Sequence, residues 1–365
     1  MIYSIDFGVS GGVQSYSLGL VDLLNENETH VARAIALVNT SENCFKILHH
    51  HDATKAAKLR LTAKAVRSEL RLCKDDTLIL HDASTMDFFR KITLKCRVWI
   101  VLHGDYQYYY DTAKKFGLWA DEIFAVNQHL KKIVERNFRH RVQCHYLPAA
   151  APKWSAPELS EKKEKIIFVG RKTKQKGAHL IPLIDAFLQK KGLSCEWSIV
   201  TSGDKLDNDV EADLMEWQET ESSNRIAFHQ NIGRDAIRNE YSESSIFILP
   251  SQAEGFPVSL IEAMNQGCVP IIFNYGPDAV NQMPLSLSEF VCNDWQEMAE
   301  RIYQLCSSGV VQEQEIALAH CQEFHGRAQT LMVLKSVQNG SGPKWKNPRI
   351  FFLKRLLRFT FYRND

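Results

Sequence analysis

The stretch "SIFILPSQAEGFPVSLIEAMNQGCVPIIF", residues 245–273, indicates the fold class of this chain. Its apolar run before Pro250 predicts a buried strand, "VSLIEAMNQG" predicts a helix that ends at a glycine, and "CVPIIF" predicts a second strand. A strand, a helix and a strand in succession form the repeating unit of a parallel sheet covered by helices. The stretch therefore predicts an α/β fold.

The turn between this strand and this helix is suited to binding an anion. Gly255 allows a sharp change of chain direction, and Pro257 fits the first turn of a helix, because the N–H that it lacks would have no partner there. The amides of Val258, Ser259 and Leu260 are then expected to be free, where the helix dipole favours a negative charge by about 0.3 to 1 kcal/mol. We therefore expect a phosphate site at this helix end.

Two carboxylates, Glu254 and Glu262, flank the expected phosphate site. Because a carboxylate repels a phosphate, each is expected to accept hydrogen bonds from neutral hydroxyl groups, such as those of a ribose and of a second sugar. This arrangement fits a nucleotide sugar. The alternative is that Glu254 only caps the helix and that Glu262 is a solvated helical residue.

Short apolar runs alternate with longer helical patterns along most of the chain, which predicts parallel sheets wrapped by helices. Further predicted strands lie in "MIYSIDF", "VARAIALV", "TLILHDA", "RVWIVLHG", "EIFAVN", "QCHYLP", "KIIFVG", "EWSIVTSG" and "RIAFHQN". The series breaks at residues 147–164, "LPAAAPKWSAPELSEKKE", where prolines and charges predict a hinge. We expect two Rossmann-like domains, 1–150 and 151–322, followed by C-terminal helices over 323–365.

Composition excludes several classes of protein. At 365 residues, 45% hydrophobic and 24% charged, the chain is typical of a globular protein with two cores. Its net charge of +1 gives no reason to expect a nucleic-acid partner. The nine cysteines are scattered and form no C-x-x-C pair, which predicts reduced thiols. With no leader pattern and no apolar run of about 18 residues, a cytoplasmic location is expected.

The segment "EGFPVSLIEAM" resembles the E-x7-E signature of the GT-B retaining glycosyltransferases of family GT4, the glycosyl transferases group 1. The resemblance covers both acids, the turn of Gly255, Phe256 and Pro257, and the E-A-M ending. It implies two Rossmann-like domains that face each other across a cleft. It also implies that Glu254 meets the donor sugar and that Glu262 meets the ribose.

A second segment, "FVGRKTKQKGAHL", supports the same interpretation. In this family an Arg just after the V-G and a Lys before the next Gly contact the diphosphate, and these positions are Arg171 and Lys176. An Arg chelates phosphate oxygens with two N–H groups, while a Lys acts as a compact point charge. The alternative is a solvated basic loop that also includes Lys172 and Lys174.

The first half contributes two candidate features. "DFGVSGGVQSYSL" resembles the family's N-terminal glycine loop, so Gly11 and Gly12 are expected to approach the donor phosphates. "RVWIVLHG" ends with His103, at the position where relatives place a histidine against the donor sugar. Its implied role is to orient sugar hydroxyls and to stabilise positive charge at the anomeric carbon. His81 is predicted to be structural.

The resemblance implies transfer of a sugar from a nucleoside diphosphate sugar, with UDP favoured over GDP, and with the anomeric configuration retained. Neither a metal nor a separate cofactor is expected, because cations and a helix end take the place of a metal in this family. "DND" at 207–209 matches a metal-binding D-x-D pattern and is predicted to be a solvated loop, and "HHHD" at 49–52 has no matching ligand cluster.

Residues 344–363 carry seven Lys or Arg and no acid, interleaved with aromatic and aliphatic residues, so the rest of the chain carries a net charge of −6. Such a segment suits an anionic membrane surface. The alternative is a C-terminal helix that packs back on the first domain. With a membrane-bound tail, a glycan or lipid-linked acceptor at the inner face of the cytoplasmic membrane is expected, as in the biosynthesis of bacterial lipopolysaccharide, O-antigen or capsule.

Two other functions remain open from the sequence. One is a GT-B sugar-nucleotide epimerase, which would need an acid/base set that the sequence does not display. The other is an inactive GT-B fold that serves as a membrane-bound partner in a polysaccharide assembly complex. Loss of a site residue would favour the inactive partner, and all the expected site residues are present.

Overall fold

The structure is a computed structural model of the chain. It describes residues 1–6, 12–26, 31–40, 44–49, 52–59, 67–68, 70–104, 107–138, 143–155, 157–159, 163–201, 207–220, 225–276, 279–280, 283–325 and 327–338. The chain divides into two compact units, one built around Val13–Pro148 and the other around Ala149–Gln329. Thr330–Gln338, the last described residues, are grouped with the first unit.

The first unit contains an eight-stranded sheet in the order β4-β3-β2-β1-β5-β6-β7-β8. Six of its strands are parallel, while β3 runs antiparallel to β2 and β4 antiparallel to β3. The strands are β1 (Ile2–Asp6), β2 (Ala32–Thr40), β3 (Cys44–His49), β4 (Asp52–Leu59), β5 (Thr77–Leu80), β6 (Arg97–Leu102), β7 (Glu122–Ala125) and β8 (Cys144–Tyr146).

Among the described residues of the first unit, four helices follow strands of this sheet: α1 (Gly12–Asn25), α2 (Ala83–Arg90), α3 (Gln107–Phe116) and α4 (Gln128–Asn137). Strands β5 and β6 are buried along almost their whole length, as their runs of Leu, Ile and Val predict. Asn127 caps α4 by accepting a hydrogen bond from the Leu130 amide at 2.7 Å. The apolar core lies between the sheet and its helices.

The second unit contains a six-stranded parallel sheet in the order β11-β10-β9-β12-β13-β14. Its strands are β9 (Lys163–Gly170), β10 (Glu196–Thr201), β11 (Ile226–Gln230), β12 (Ser244–Leu249), β13 (Val269–Phe273) and β14 (Val291–Cys292). Its helices are α5 (Ile181–Lys190), α6 (Asn208–Thr220), α7 (Arg234–Glu243), α8 (Val258–Asn265), α9 (Trp295–Ser308) and α10 (Val311–Phe324), and α11 (Arg327–Gln338) follows. All of these pairings are parallel, as predicted.

Each sheet has a point where the order of its strands reverses. In the first unit β1 lies between β2 and β5, and in the second unit β9 lies between β10 and β12. The loops that leave neighbouring strands at such a point diverge, so that a crevice opens beyond the carboxyl ends of the strands. The strand order therefore predicts a binding crevice beyond β1 and β5, and another beyond β9 and β12.

Every strand predicted from the sequence is present, and the α/β fold with two Rossmann-like units is confirmed. The prediction was incomplete at the edges, because it missed the antiparallel strands β3 and β4 and the short strand β14. No helix among the described residues is long and apolar enough to cross a membrane. Gly11, the centre of the "HHHD" run and the basic segment 344–363 lie outside the described residues.

Candidate active site

The cationic loop and the Gly-Phe-Pro turn both lie at the carboxyl edge of the second unit's sheet. Arg171 follows β9 directly, and Pro250 follows β12, which is the neighbouring strand. The two loops therefore leave the sheet on either side of its reversal point. Strand order alone thus brings the cationic loop and the Gly-Phe-Pro turn together.

Backbone contacts join these two loops. The Gln252 amide donates a hydrogen bond to the Gln175 carbonyl oxygen at 2.9 Å. Gly177 has φ +70°, and a Cβ at this position would lie 2.1 Å from the Pro250 carbonyl oxygen. Only glycine fits there, because the position requires both a left-handed backbone and space for the Pro250 carbonyl. The two loops therefore form one continuous surface.

Lys176 and Glu254 form an ion pair across the joined loops. The Lys176 Nζ atom lies 2.6 Å from Glu254 Oε1, and the two side chains are 20% and 8% exposed, respectively. These residues, expected at the diphosphate and at the donor sugar, are in direct contact in the structure. A charge-assisted hydrogen bond at this distance fixes both side chains at the strand ends.

Arg171, the other expected diphosphate ligand, is half-buried at the end of β9. Its side chain forms no hydrogen bond or ion pair with the residues that the structure describes, whereas the neighbouring Lys172 pairs with Glu211 at 2.7 Å. Lys174 is 59% exposed and lies 3.5 Å from the exposed Asp209. The basic loop therefore divides into Arg171 and Lys176 near the strand ends and two lysines that pair with α6.

The N-terminus of α8 is positioned by the turn of Gly255, Phe256 and Pro257. Pro257 is its N-cap, with φ −75° and no side-chain capping hydrogen bond. One expectation is wrong: the Leu260 amide is not free, because it donates to the Pro257 carbonyl oxygen at 3.1 Å. The helix starts with a tight turn that uses this amide. The amides of Val258 and Ser259 are the remaining candidates for an anion.

Glu262 lies in a buried polar cluster that the sequence did not reveal. It is 8% exposed, and the Tyr241 hydroxyl donates to its Oε2 atom at 3.4 Å. Burial raises the pKa of Glu262 to about 7, although the positive charge of Arg234 and the Tyr241 hydrogen bond act in the opposite direction. Glu262 is therefore not a solvated helical residue, and near neutral pH it changes charge readily.

The first unit places His103 at the carboxyl end of β6, and His81 at the end of the neighbouring strand β5. The His81 Nδ1 and His103 Nε2 atoms are 2.9 Å apart, and His81 Nε2 lies 2.7 Å from Ser4 Oγ. Burial lowers the pKa of His81 to about 3, and burial together with His81 lowers the pKa of His103 well below its usual value. Both imidazoles are therefore neutral at physiological pH.

Other sequence candidates have ordinary surroundings. Gly12 is the exposed first residue of α1, and a Cβ there would meet no atom within 4 Å. In the "DND" run, Asp207 accepts a hydrogen bond from the Lys174 amide, and Asp209 is 81% exposed in the first turn of α6. Among the described residues, no group of three or more His, Cys, Asp or Glu side chains could hold a metal ion.

Comparison with known proteins finds a family match within the second unit. The family described as glycosyl transferases group 1 matches residues 152–317. An uncharacterized glycosyltransferase of Haemophilus influenzae is 22% identical over 326 residues, which is 82% of this chain and 87% of that protein. The matched family segment contains both acids and both cations of the candidate site.

Two solved structures show the shared fold. The pneumococcal O-GlcNAc transferase GtfA, in complex with UDP and GlcNAc, has a TM-score of 0.60 at 16% identity, over 81% of this chain. This chain spans 64% of the GtfA chain. A UDP-forming α,α-trehalose-phosphate synthase from Burkholderia xenovorans has a TM-score of 0.65 at 12% identity, over 93% of this chain and 100% of that one. The chain has a GT-B fold, and the match of residues 152–317 to glycosyl transferases group 1 indicates a transferase enzyme.

Proposed function

We propose that the protein transfers a sugar from a nucleoside diphosphate sugar to a hydroxyl group of a glycan or a lipid-linked acceptor, with the anomeric configuration retained, as a member of family GT4. The observation that carries the proposal is the pairing of Lys176 with Glu254 at 2.6 Å, beside the N-terminus of α8, at the reversal point of the second sheet. A cation, an acid and a helix end at neighbouring strand ends suit a phosphorylated sugar in the expected crevice.

The cationic side of this crevice suits a diphosphate leaving group. As the bond between the anomeric carbon and the phosphate oxygen breaks, negative charge grows on that oxygen. Lys176, which is fixed by its ion pair with Glu254, and the first amides of α8, which are fixed by the helix, stabilise this charge together with Arg171. Their contribution is electrostatic, so the proposal requires neither a metal nor a separate cofactor.

The acidic side suits neutral hydroxyl groups. Glu254 accepts hydrogen bonds from the donor sugar, and ionised Glu262 accepts them from the ribose. His103, as a neutral imidazole, orients a sugar hydroxyl from the first unit. The acceptor oxygen attacks the anomeric carbon on the face that the diphosphate leaves, and its proton passes to the departing phosphate oxygen. This same-face route needs no protein nucleophile.

The donor is proposed to be a UDP-sugar, and two observations support UDP over GDP. GtfA is bound to UDP and GlcNAc, and the trehalose-phosphate synthase is described as UDP-forming. A glycan or lipid-linked acceptor in the assembly of a bacterial surface polysaccharide, such as lipopolysaccharide, O-antigen or capsule, is proposed from the basic segment 344–363. That segment would hold the enzyme peripherally at the cytoplasmic face of the membrane.

A thermal-shift panel of UDP-, GDP- and ADP-sugars tests the donor site. Ligand at 100 times its dissociation constant stabilises a protein by about 2.7 kcal/mol, so the wild type is expected to melt several degrees higher with a UDP-sugar. Glu262→Ala is expected to lose most of this shift. The matched control, Glu289→Ala, removes a carboxylate that is 58% exposed in the same unit and should respond like the wild type.

Two results would contradict the proposal. A wild type that is stabilised by none of the nucleotide sugars has no donor site. A Glu262→Ala variant that responds as the wild type does would show that the ribose is held elsewhere. Binding without transfer to any acceptor would instead favour the inactive partner.

A further inference from the structure

The two carboxylate oxygens of Glu262 have different surroundings. The Tyr241 hydroxyl donates to Oε2 at 3.4 Å. The other oxygen, Oε1, forms no hydrogen bond or ion pair with the described residues, and it is not one of the fully enclosed side-chain atoms that lack a partner. Part of the 8% exposure of Glu262 therefore belongs to Oε1. The protein holds one oxygen of this carboxylate and leaves the other open to a ligand.

The Tyr241 side chain is fixed where it meets Glu262. It is 0% exposed, and its ring centroid lies 6.3 Å from that of Phe247 on β12 and 6.3 Å from that of Trp154, which precedes β9. The Cys268 thiol donates to the Tyr241 carbonyl oxygen at 3.2 Å. Because the interior is close-packed, the hydroxyl cannot leave Oε2 unless its neighbours repack.

Helix α7, which carries both Tyr241 and Arg234, is anchored to the sheet. Glu240 of this helix accepts hydrogen bonds from Lys165 Nζ at 2.8 Å and from Ser198 Oγ at 2.7 Å. Lys165 lies on β9 and Ser198 lies on β10, and both are buried. A buried ion pair that is also bonded to a hydroxyl group restricts the helix to one position. The residue next to Glu240, Tyr241, is thereby held against α8.

Two groups on α7 favour the charged form of Glu262. Burial raises the pKa of Glu262 to about 7, while the positive charge of Arg234 and the Tyr241 hydrogen bond lower it. The neighbouring strands β12 and β13 contain no titratable residue. From α10, the Cys321 thiol donates to the Ile261 carbonyl oxygen, and burial raises its pKa to about 12, which keeps it neutral. Arg234 and Tyr241 are therefore the groups that act on this carboxylate.

We propose that Tyr241 and Arg234 are positioning residues that hold Glu262 as a carboxylate, so that Oε1 accepts hydrogen bonds from the ribose hydroxyls of the donor. The ribose part of this inference rests on the proposed function, whereas the charge state of Glu262 concerns the protein alone. A carboxylate only accepts hydrogen bonds, while a protonated carboxyl group uses part of its capacity to donate. Tyr241 and Arg234 act through Glu262 and need not touch the donor.

Isothermal titration calorimetry with a UDP-sugar at pH 6 and at pH 8.5 tests the proposal. The wild type is expected to bind about tenfold more tightly at pH 8.5, because Glu262 ionises between the two values. Tyr241→Phe removes a hydrogen bond that favours the carboxylate, so its affinity should be about three- to tenfold below that of the wild type at pH 6 and within about twofold at pH 8.5. A loss of equal size at both pH values would show that Tyr241 acts only by packing, and would overturn its role.

Further variants protect the result against loss of folding. Arg234→Gln alters a half-buried residue and should also lose more affinity at pH 6 than at pH 8.5, and an equal loss at both values would overturn its role through Glu262. In Glu262→Gln, which cannot ionise, adding Tyr241→Phe should cause no pH-dependent loss. Tyr3→Phe is the matched control, because Tyr3 is buried in the first unit and its hydroxyl donates to the Leu70 carbonyl oxygen at 3.0 Å. It should bind like the wild type at both pH values.

A measurement without ligand separates this inference from the proposed function. In ¹³C-glutamate-labelled protein, the Glu262 carboxyl signal is assigned with Glu262→Gln and titrated by NMR. Its midpoint is expected near pH 7 in the wild type and about half a unit to one unit higher in Tyr241→Phe. Equal midpoints would overturn the effect of Tyr241 on the charge state.

The two measurements together identify which part fails. A shifted midpoint without a pH-dependent loss of affinity would overturn the ribose role of Oε1. A wild type that binds no UDP-sugar would refute the proposed function, and the NMR midpoints would then decide the charge-state part by themselves.

Discussion

Ionisation of a carboxyl group on a buried helix face costs free energy, and Glu262 is such a group. Its pKa of about 7 exceeds the usual 4.5, so the folded state keeps a proton that the unfolded state releases between these values. Unfolding therefore becomes more favourable as pH rises through this window. The contribution of Glu262 to stability is present below about pH 4.5 and is lost by about pH 7.

Glu262→Gln should remove this pH dependence, because glutamine stays neutral. Between pH 5 and pH 8, the free energy of unfolding of the wild type is expected to fall by about 2 to 3 kcal/mol relative to that of the variant. Urea unfolding at the two pH values measures the difference. The unfolding free energy of Glu289→Gln, a substitution at an exposed position, should fall with pH as much as that of the wild type. A wild-type curve parallel to that of Glu262→Gln would show that Glu262 ionises normally.

The two lysines of the short turn Lys174–Lys176 offer a matched comparison. Lys176→Ala removes the cation beside Glu254 and is expected to weaken UDP binding about 10- to 100-fold, the usual effect of losing a charge-assisted hydrogen bond to phosphate. Lys174→Ala removes an exposed cation and should change the dissociation constant less than about twofold. Isothermal titration calorimetry measures the dissociation constant of UDP for each variant. Equal losses of affinity in the two variants would indicate a general charge effect.

At single positions, the sequence was informative where a residue follows a strand directly. Arg171 and His103 could be located because parallel strands end at the same edge of a sheet. His81 follows a neighbouring strand in the same way, and this signal could have linked it to His103. The contact of Tyr241 with Glu262 could not be predicted, because it depends on how α7 packs beside α8.

The close contact of Gly177 with the loop that follows β12 can be tested by substitution. Gly177→Ala would place a Cβ 2.1 Å from the Pro250 carbonyl oxygen, so the loops must separate. We expect a loss of more than about 3 kcal/mol in the free energy of unfolding, together with loss of UDP binding.

Gly192→Ala is the matched control for this prediction. Gly192 has a similar φ of +82°, but a Cβ there would meet no atom within 4 Å. Only the strain of the left-handed backbone remains, about 1 kcal/mol. Urea unfolding of both variants measures the difference. If the two substitutions cost the same, the contact with Pro250 contributes nothing to stability.

Most parallel strands could be predicted because their runs of Val, Ile and Leu are buried on both faces. The hairpin of β3 and β4 could not. Its connection contains the histidines at 50 and 51 in place of the Gly, Asn or Asp that mark a tight turn, and "DATKAAKL" has little of the β-branched composition of a strand. The Leu260 amide was misjudged for a related reason, because the geometry of a first helical turn is not visible in sequence.

At the scale of the whole molecule, the boundary between the compact units lies at Pro148 and Ala149, inside the proline-rich stretch that predicted a hinge. A change of composition marks such boundaries well, because few contacts cross them. The C-terminal helices expected over 323–365 are described only as far as Gln338, and Thr330–Gln338 is grouped with the first unit.

The basic segment makes a prediction for the entire chain. Sedimentation with vesicles that contain anionic lipid is expected to remove the 365-residue protein from solution. Deletion of residues 344–365 should abolish most of this binding, since each cation near such a surface contributes about 1 kcal/mol. Vesicles of neutral lipid are the control. Equal binding of the two proteins to anionic vesicles would refute a membrane role for the segment.

The joined loops beyond β9 and β12 have a consequence for engineering. The Gln252 amide donates a hydrogen bond to the Gln175 carbonyl oxygen, and Gly177 lies against Pro250. The two loops are therefore held together as one structural unit. A chimera that replaces the Gly-Phe-Pro turn alone would keep a lysine loop whose backbone was matched to the original turn. Successful grafts between such enzymes must exchange both segments together.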